Sequence, residues 1–206
     1  GSKSIGYYGS EEQKQRFLPK MAAGELRTAM AFTEPSGGTD LLGAMRTSAK
    51  KVDDGWIIQG EKVWSTTANT ADYLLVIAQT DKNPKKRSEG VSVFFVPKDS
   101  EGVTVVPLPK LGMRALCSCR ITFDEVFVPN ELLLGEEGQV WKETTNTLNN
   151  ERIMNAASCV GMLDGVLEDA LEYMKIRKAF GRTIGEFQAL QHYIADISMW
   201  RKQAEL

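Results

Sequence analysis

The sequence predicts an α+β fold: a central antiparallel β-barrel or sandwich flanked by helical segments. Three observations carry this. Between residues 28 and 128, apolar residues fall in many short runs separated by regular turn signals, as strands of a sandwich or barrel do. From about Val140 onward, apolar residues recur instead at helical spacing. A shorter helical pattern precedes the strands. The pattern changes divide the chain into residues 1–27, 28–138 and 139–206.

The elements follow in order. Ile5 to Leu26 reads as helix, with Ser10 as N-cap and Gln13 completing a capping box. Pro19 is expected to shorten or break it. Arg27 to Phe32 is a strand, and Ala44 to Val52 alternates weakly. Asp53-Asp54-Gly55 is a hairpin turn signal, followed by strand-like Trp56–Gly60 and Glu61–Thr66. Tyr73 to Gln79 is a continuous apolar run, expected as a fully buried strand. Asp81 to Glu89 is a charged loop. Val91–Val96, Val103–Leu108 and Arg120–Val128 complete the strands, and Glu131 to Gly138 is a loop. A helix then runs to about Ala179, and Gly181 stops it. A second begins near Gly185-Glu186, with Leu190, Tyr193, Ile194, Ile197 and Trp200 along one face. No cap follows Ala204-Glu205-Leu206, so the chain is expected to be part of something longer.

Composition limits the function. Of 206 residues, 42% are hydrophobic and 25% charged, enough to bury a real core. A net charge of -2 suggests neither nucleic acid nor an anionic membrane as partner. No apolar run is long enough to span a bilayer, and no signal-peptide pattern opens the chain. Cys117, Cys119 and Cys159 make a poor disulfide framework, so an intracellular, reducing compartment is expected. Cys117-Ser118-Cys119 lacks a second pair, and His192 is the only histidine. That argues against a zinc hydrolase or a histidine-based triad, and no metal site is expected.

The most informative stretch runs from Met30 to Gly43. It begins apolar, then becomes a turn of small residues, hydroxyls and two acids. Pro35 fixes φ, and Gly37 and Gly38 admit backbone angles closed to other residues. Backbone N–H groups and the hydroxyls of Thr33, Ser36 and Thr39 lie over a short arc, suited to something flat and polar or phosphorylated. The alternative is an ordinary surface turn.

Four stretches, in order and spacing, resemble the acyl-CoA dehydrogenase family. The first is Ala31-Phe32-Thr33-Glu34-Pro35-Ser36-Gly37-Gly38-Thr39-Asp40-Leu41-Leu42-Gly43, similar to its flavin-binding signature, with Phe32 where an aliphatic residue is usual. The second is Gly60-Glu61-Lys62-Val63-Trp64-Ser65-Thr66. The third is Leu111–Arg114 through Phe123–Pro129, with Leu134–Gly138 after it. The fourth is Arg177-Lys178-Ala179-Phe180-Gly181-Arg182 with Phe187-Gln188. The resemblance covers essentially the whole chain. It implies the end of an N-terminal helical domain, a middle β-domain and the first helices of a C-terminal helical bundle.

The resemblance also implies an activity. FAD would be the cofactor, and an acyl-CoA thioester would be oxidised to the 2-enoyl-CoA. Electrons would pass to an electron-transferring flavoprotein, and the protein would be a tetramer. The compartment would be cytoplasmic in a bacterium or the mitochondrial matrix in a eukaryote. Met30, Ala31, Phe32, Thr33, Gly38 and Thr39 would line the flavin, and Thr39 would also meet the substrate's CoA. Trp64 would pack against the isoalloxazine, with Ser65 beside it and Thr66 near N5; the alternative for Trp64 is a core tryptophan. Arg177 and Gln188 would reach the ADP part of an FAD in a neighbouring subunit; the alternative for Arg177 is a surface ion pair with Glu172 or Glu186.

In most of the family the base is a glutamate in a C-terminal segment outside this chain. In a minority it immediately precedes an arginine on the helix entering the C-terminal domain, a position that here reads Leu148-Asn149-Asn150-Glu151-Arg152. Glu151 is then the candidate base, and Asn149 and Arg152 are candidate substrate contacts. The alternative is that Glu151 pairs with Arg152 or solvent. An active base should be enclosed, which pushes a carboxylate toward its neutral form. An oxidase or flavin monooxygenase on the same fold is a second reading. A third is a non-catalytic fragment with an incomplete FAD site, which would hold FAD weakly where the longer protein holds it firmly.

Overall fold

The computed structural model describes residues 1–206, except the side chains of Lys142, Glu143 and Thr147. It divides into two units, Gly1–Thr147 and Leu148–Leu206.

The first unit opens with α1 (Ser2–Tyr8) and α2 (Glu11–Ala22). The single helix expected over residues 5–26 is therefore two. The chain breaks at Gly9-Ser10, where Ser10 caps α2 in a full capping box with Gln13. Gln13 also donates through Nε2 to the carbonyls of Glu131 and Leu133, at 2.8 Å each. Pro19 lies inside α2 and does not break it. It sits in the last turn, so little helix remains to be disturbed. Ile5 and Phe17 enter the same apolar core as the sheet, so these helices do not stand apart as a domain.

The strands are β1 (Thr28–Ala31), β2 (Ser48–Val52), β3 (Gly55–Thr66), β4 (Tyr73–Gln79), β5 (Val91–Pro97), β6 (Val103–Pro107), β7 (Ser118–Pro129) and β8 (Leu133–Leu134). A short helix, α3 (Leu41–Ala44), follows β1 with Asp40 as its cap, and nothing in the sequence pattern had suggested it. The β2–β3 hairpin closes over Asp53-Asp54, with Val52 opposite Gly55. The sheet runs β6-β7-β3-β2-β4-β5-β8, with β1 also on β4. It is α+β and sandwich-like, but the sheet is open and mixed: β1 and β2 both pair with β4 in parallel. Leu74 to Ala78 of β4 are fully buried, as the apolar run predicts. Part of the expected 131–138 loop is β8, whose Leu134 pairs with Val93.

Helix α4 (Trp141–Ile176) begins in the first unit and supplies about half of the residues of the second. Beyond it, β9 (Lys178–Ala179) and β10 (Arg182–Thr183) form a small hairpin, and α5 (Gln188–Glu205) follows. Gly181 is thus a turn residue of a hairpin rather than a helix stop. Asp164 of α4 accepts from Arg201 of α5 at 2.6 Å. No helix among the described residues is long and apolar enough to cross a membrane.

Candidate functional site

The loop after β1 is built around Glu34. This carboxylate is 5% exposed. It accepts from the amide of Arg46 at 2.7 Å, the amide of Thr47 at 3.0 Å and Nζ of Lys62 at 2.8 Å. Lys62 is fully buried on β3 and also donates to the carbonyl of Phe32 at 3.1 Å. Next to it, the amide of Val63 donates to the carbonyl of Thr33 at 2.8 Å. Burial opposes charge on both side chains. For Glu34 the adjacent ammonium and the hydrogen bonds from Lys62 and Thr47 outweigh burial, and its carboxyl titrates below its ordinary value. For Lys62 burial prevails over Glu34 and pushes the ammonium down.

The loop is narrow. Glu34 and Gly37 exchange backbone hydrogen bonds at 3.1 and 3.3 Å. A Cβ on Gly37 would lie 2.6 Å from the Cβ of Ala44, so only glycine allows α3 this close. Ser36 turns its hydroxyl inward to the carbonyl of Ala44 at 2.8 Å, which removes it from the expected set of gripping hydroxyls. The hydroxyls of Thr33 and Thr39 make no hydrogen bond among the described residues. Gly38 and Thr39 are exposed, whereas Met30, Phe32 and Thr33 are half-buried. Ala31 lies in the core, so it can offer a ligand only its backbone.

Strand β3 then presents an aromatic ring. Its register against β7 shifts between Lys62 and Ser65, the mark of a β-bulge. Trp64 sits in this bulge with φ +61 and is 59% exposed. It is not a core tryptophan. Strict alternation from Trp56 and Ile58 through Lys62 would bury Trp64; the extra residue reverses the parity. Trp64 and Thr66 face out, and Ser65 turns in, where its hydroxyl is buried without a partner. Ser65 therefore cannot present its side chain beside Trp64.

These groups fit a flavin. An exposed indole and the hydroxyls of Thr33, Thr39 and Thr66, all without hydrogen-bond partners among the described residues, offer a flat apolar wall and polar groups beside it. Lys62 and Glu34, which hold this arrangement together, were missed in the sequence. The signal was there: period 2 from Trp56 and Ile58 places a lysine on the buried face of a strand.

In the second unit, Arg152 donates to Oδ1 of Asn149 at 2.6 Å. It does not pair with Glu151, which is exposed and makes no hydrogen bond or ion pair among the described residues. The enclosure expected around a base is not supplied by its neighbours on α4. Arg177 is also exposed and makes no ion pair among the described residues, so the proposed surface pairing is absent. Glu186 is taken instead by Thr183, whose amide and hydroxyl donate to it at 3.0 and 2.8 Å. Phe180 and Gly181, with φ +54 and +81, form the tip of the β9–β10 hairpin, and the Phe180 ring is 94% exposed. Gln188, exposed, opens α5 just beyond.

Sγ of Cys117 and Cys119 are 3.7 Å apart. No group of three metal-ligating side chains occurs among the described residues.

Two family models match the chain. Residues 29–126 match the model for the acyl-CoA dehydrogenase middle domain, and residues 138–206 that for the acyl-CoA dehydrogenase C-terminal domain. A mitochondrial isovaleryl-CoA dehydrogenase of Oryza sativa subsp. japonica is 40% identical over 92% of this chain and 46% of its own length. Butyryl-CoA dehydrogenase from Megasphaera elsdenii superposes with a TM-score of 0.92 at 34% identity, over 99% of this chain and 53% of that one. A solved FAD complex of PigA superposes with a TM-score of 0.91 at 32% identity, over 98% and 52%. The chain spans about half the length of the relatives it matches.

Proposed function

The chain belongs to the acyl-CoA dehydrogenase family, and from that premise we propose that it serves FAD-dependent oxidation of an acyl-CoA thioester to the 2-enoyl-CoA. The observation that carries this reading is Trp64. A bulge holds it out of the sheet in a conformation costly for a non-glycine residue, two residues from the lysine that grips the Thr33 loop. A structure that keeps a large ring exposed in that way gives up stability for a contact with something else.

Bound FAD supplies a two-electron acceptor for a hydride from the substrate's β-carbon. The chain's residues do the rest. Thr33 offers its hydroxyl to the edge of the ring system, and Trp64 covers the ring's face and excludes water. Thr66, on the same face of β3, places a second hydroxyl beside it. Thr39 meets the CoA portion. A pocket of about 210 Å³ at the end of this loop is lined by Gly43, Lys82 and Arg87, and its two cations suit a phosphate. Glu151 takes the α-proton as its carboxylate, and Arg152, held by Asn149, contacts the substrate. Arg177, Gln188 and the exposed Phe180 tip bind the ADP half of an FAD held by another subunit of a tetramer, and an electron-transferring flavoprotein accepts the electrons.

The test is anaerobic titration of the FAD-loaded protein with a panel of acyl-CoAs, following the flavin absorbance. Bleaching by at least one acyl-CoA is expected, and a spectrum indifferent to all of them would refute the reading. Glu151→Gln should keep flavin and lose turnover by two orders of magnitude or more, roughly the range for a general base. Near-normal turnover in that variant would return the base to another residue.

A further inference from the structure

We propose that the buried Lys62–Glu34 pair is a positioning device that sets the Thr33 hydroxyl and the Trp64 ring relative to each other. Its connection to a flavin rests on the function proposed above.

Such a pair is a poor source of core stability. Burying two charges costs several kcal/mol each in desolvation, and well-packed apolar residues of similar volume are often as stable or more so. Core stability alone therefore does not account for a lysine with no exposure inside a sheet. Geometry does. Three consecutive residues of the loop are tied to two consecutive residues of β3. The carbonyl of Phe32 and the carboxylate of Glu34 both receive Lys62 Nζ, and the carbonyl of Thr33, between them, receives the amide of Val63. The same carboxylate holds the amides of Arg46 and Thr47 ahead of β2. Thr33 is thereby fixed on both sides. Trp64 follows Val63 directly and is turned outward by the bulge.

Among the described residues, the Thr33 hydroxyl and the Trp64 indole on either side of this tie make no hydrogen bond. The loop backbone that carries Thr33 cannot slide along the strand that carries Trp64 without breaking the Lys62 contacts and the Val63–Thr33 hydrogen bond. An apolar pair could fill the same space, but it could not hold two loop acceptors at once. Lys62 and Glu34 thus act through their neighbours and are positioning residues.

The experiment compares Glu34→Gln, Lys62→Met and the charge-neutral double variant with the parent chain. Amide hydrogen exchange without ligand is read at Val63 and across Leu74–Ala78 of β4, and FAD affinity is measured separately. The double variant should recover most of the denaturation midpoint lost by either single variant, because it buries no unpaired charge. Its Val63 amide should nonetheless exchange at least tenfold faster while the β4 amides stay as in the parent, and its FAD dissociation constant should rise at least tenfold.

Unchanged Val63 exchange, exchange that rises in step with β4, a double variant that fails to fold, or, where the parent binds FAD, an undiminished FAD affinity in the double variant would each overturn the proposal. A parent chain that ignores FAD while the exchange result holds would sink the flavin reading and leave the positioning role standing.

Discussion

The guanidinium of Arg182 lies 4.2 Å over the ring of Phe187. Phe187 in turn meets the ring of Phe180 edge-on, with centroids 6.1 Å apart. The hairpin tip is therefore braced by cation–π and edge-on aromatic contacts, while Arg177 nearby in sequence has no ion pair among the described residues. Bracing falls to Arg182, so the ligand role proposed for Arg177 can be tested apart from it.

Arg177→Ala should leave thermal stability within about 0.5 kcal/mol, as truncation of an exposed side chain with no ion pair among the described residues does. It should still weaken FAD binding in the assembled protein, measured by fluorescence titration. Arg182→Ala should do the reverse first, loosening the hairpin by about 0.5–1 kcal/mol through the lost cation–π contact. A marked loss of stability in Arg177→Ala would show that Arg177 is structural.

Trp64→Gly should hold stability within about 1 kcal/mol of the parent. The left-handed backbone strain is relieved, the exposed indole loses little burial, and the unfolded chain gains glycine's freedom. FAD binding should nonetheless fall sharply. A large drop in the urea midpoint would mean that the ring packs against the protein after all.

Acid should act through Glu34. Its folded-state pKa lies below the ordinary 4.5. Its stabilisation is therefore present above about that value and disappears as pH falls through the lower folded value. In urea titrations from pH 6 to pH 3, the parent chain should lose stability relative to Glu34→Gln. At neutral pH the substitution should cost about 3–5 kcal/mol, because it leaves Lys62 buried without its counter-ion. A constant difference across that range would remove Glu34 from the acid response.

Much of the fold was legible because it rests on local pattern. The apolar run at Tyr73–Gln79, the Asp53-Asp54 turn and the Ser10–Gln13 cap all appear where residue chemistry puts them. The parallel pairing of β1 with β4 was not legible, since it joins segments whose local patterns say nothing of direction. The bulge was the costliest omission. One extra residue reverses the facing of everything after it, and that decides why Trp64 and Thr66 emerge while Ser65 disappears. The burial of the Ala31 side chain was not legible for a related reason: the motif marks where the chain passes, not which of its side chains looks outward.

The Lys62–Glu34 contact also has a consequence for the order of assembly. Lys62 reaches back 30 residues to Phe32 and 28 to Glu34. During synthesis, the loop emerges long before the residue that closes it. The β2–β3 hairpin is local and needs only its own turn, whereas the loop waits for a distant cation and a larger entropic closure. Pulse-labelled refolding should therefore protect the hairpin amide of Ile57 before that of Val63, and simultaneous protection would contradict this order. A nascent chain that has not yet made Lys62 carries every residue of the cradle and none of its shape.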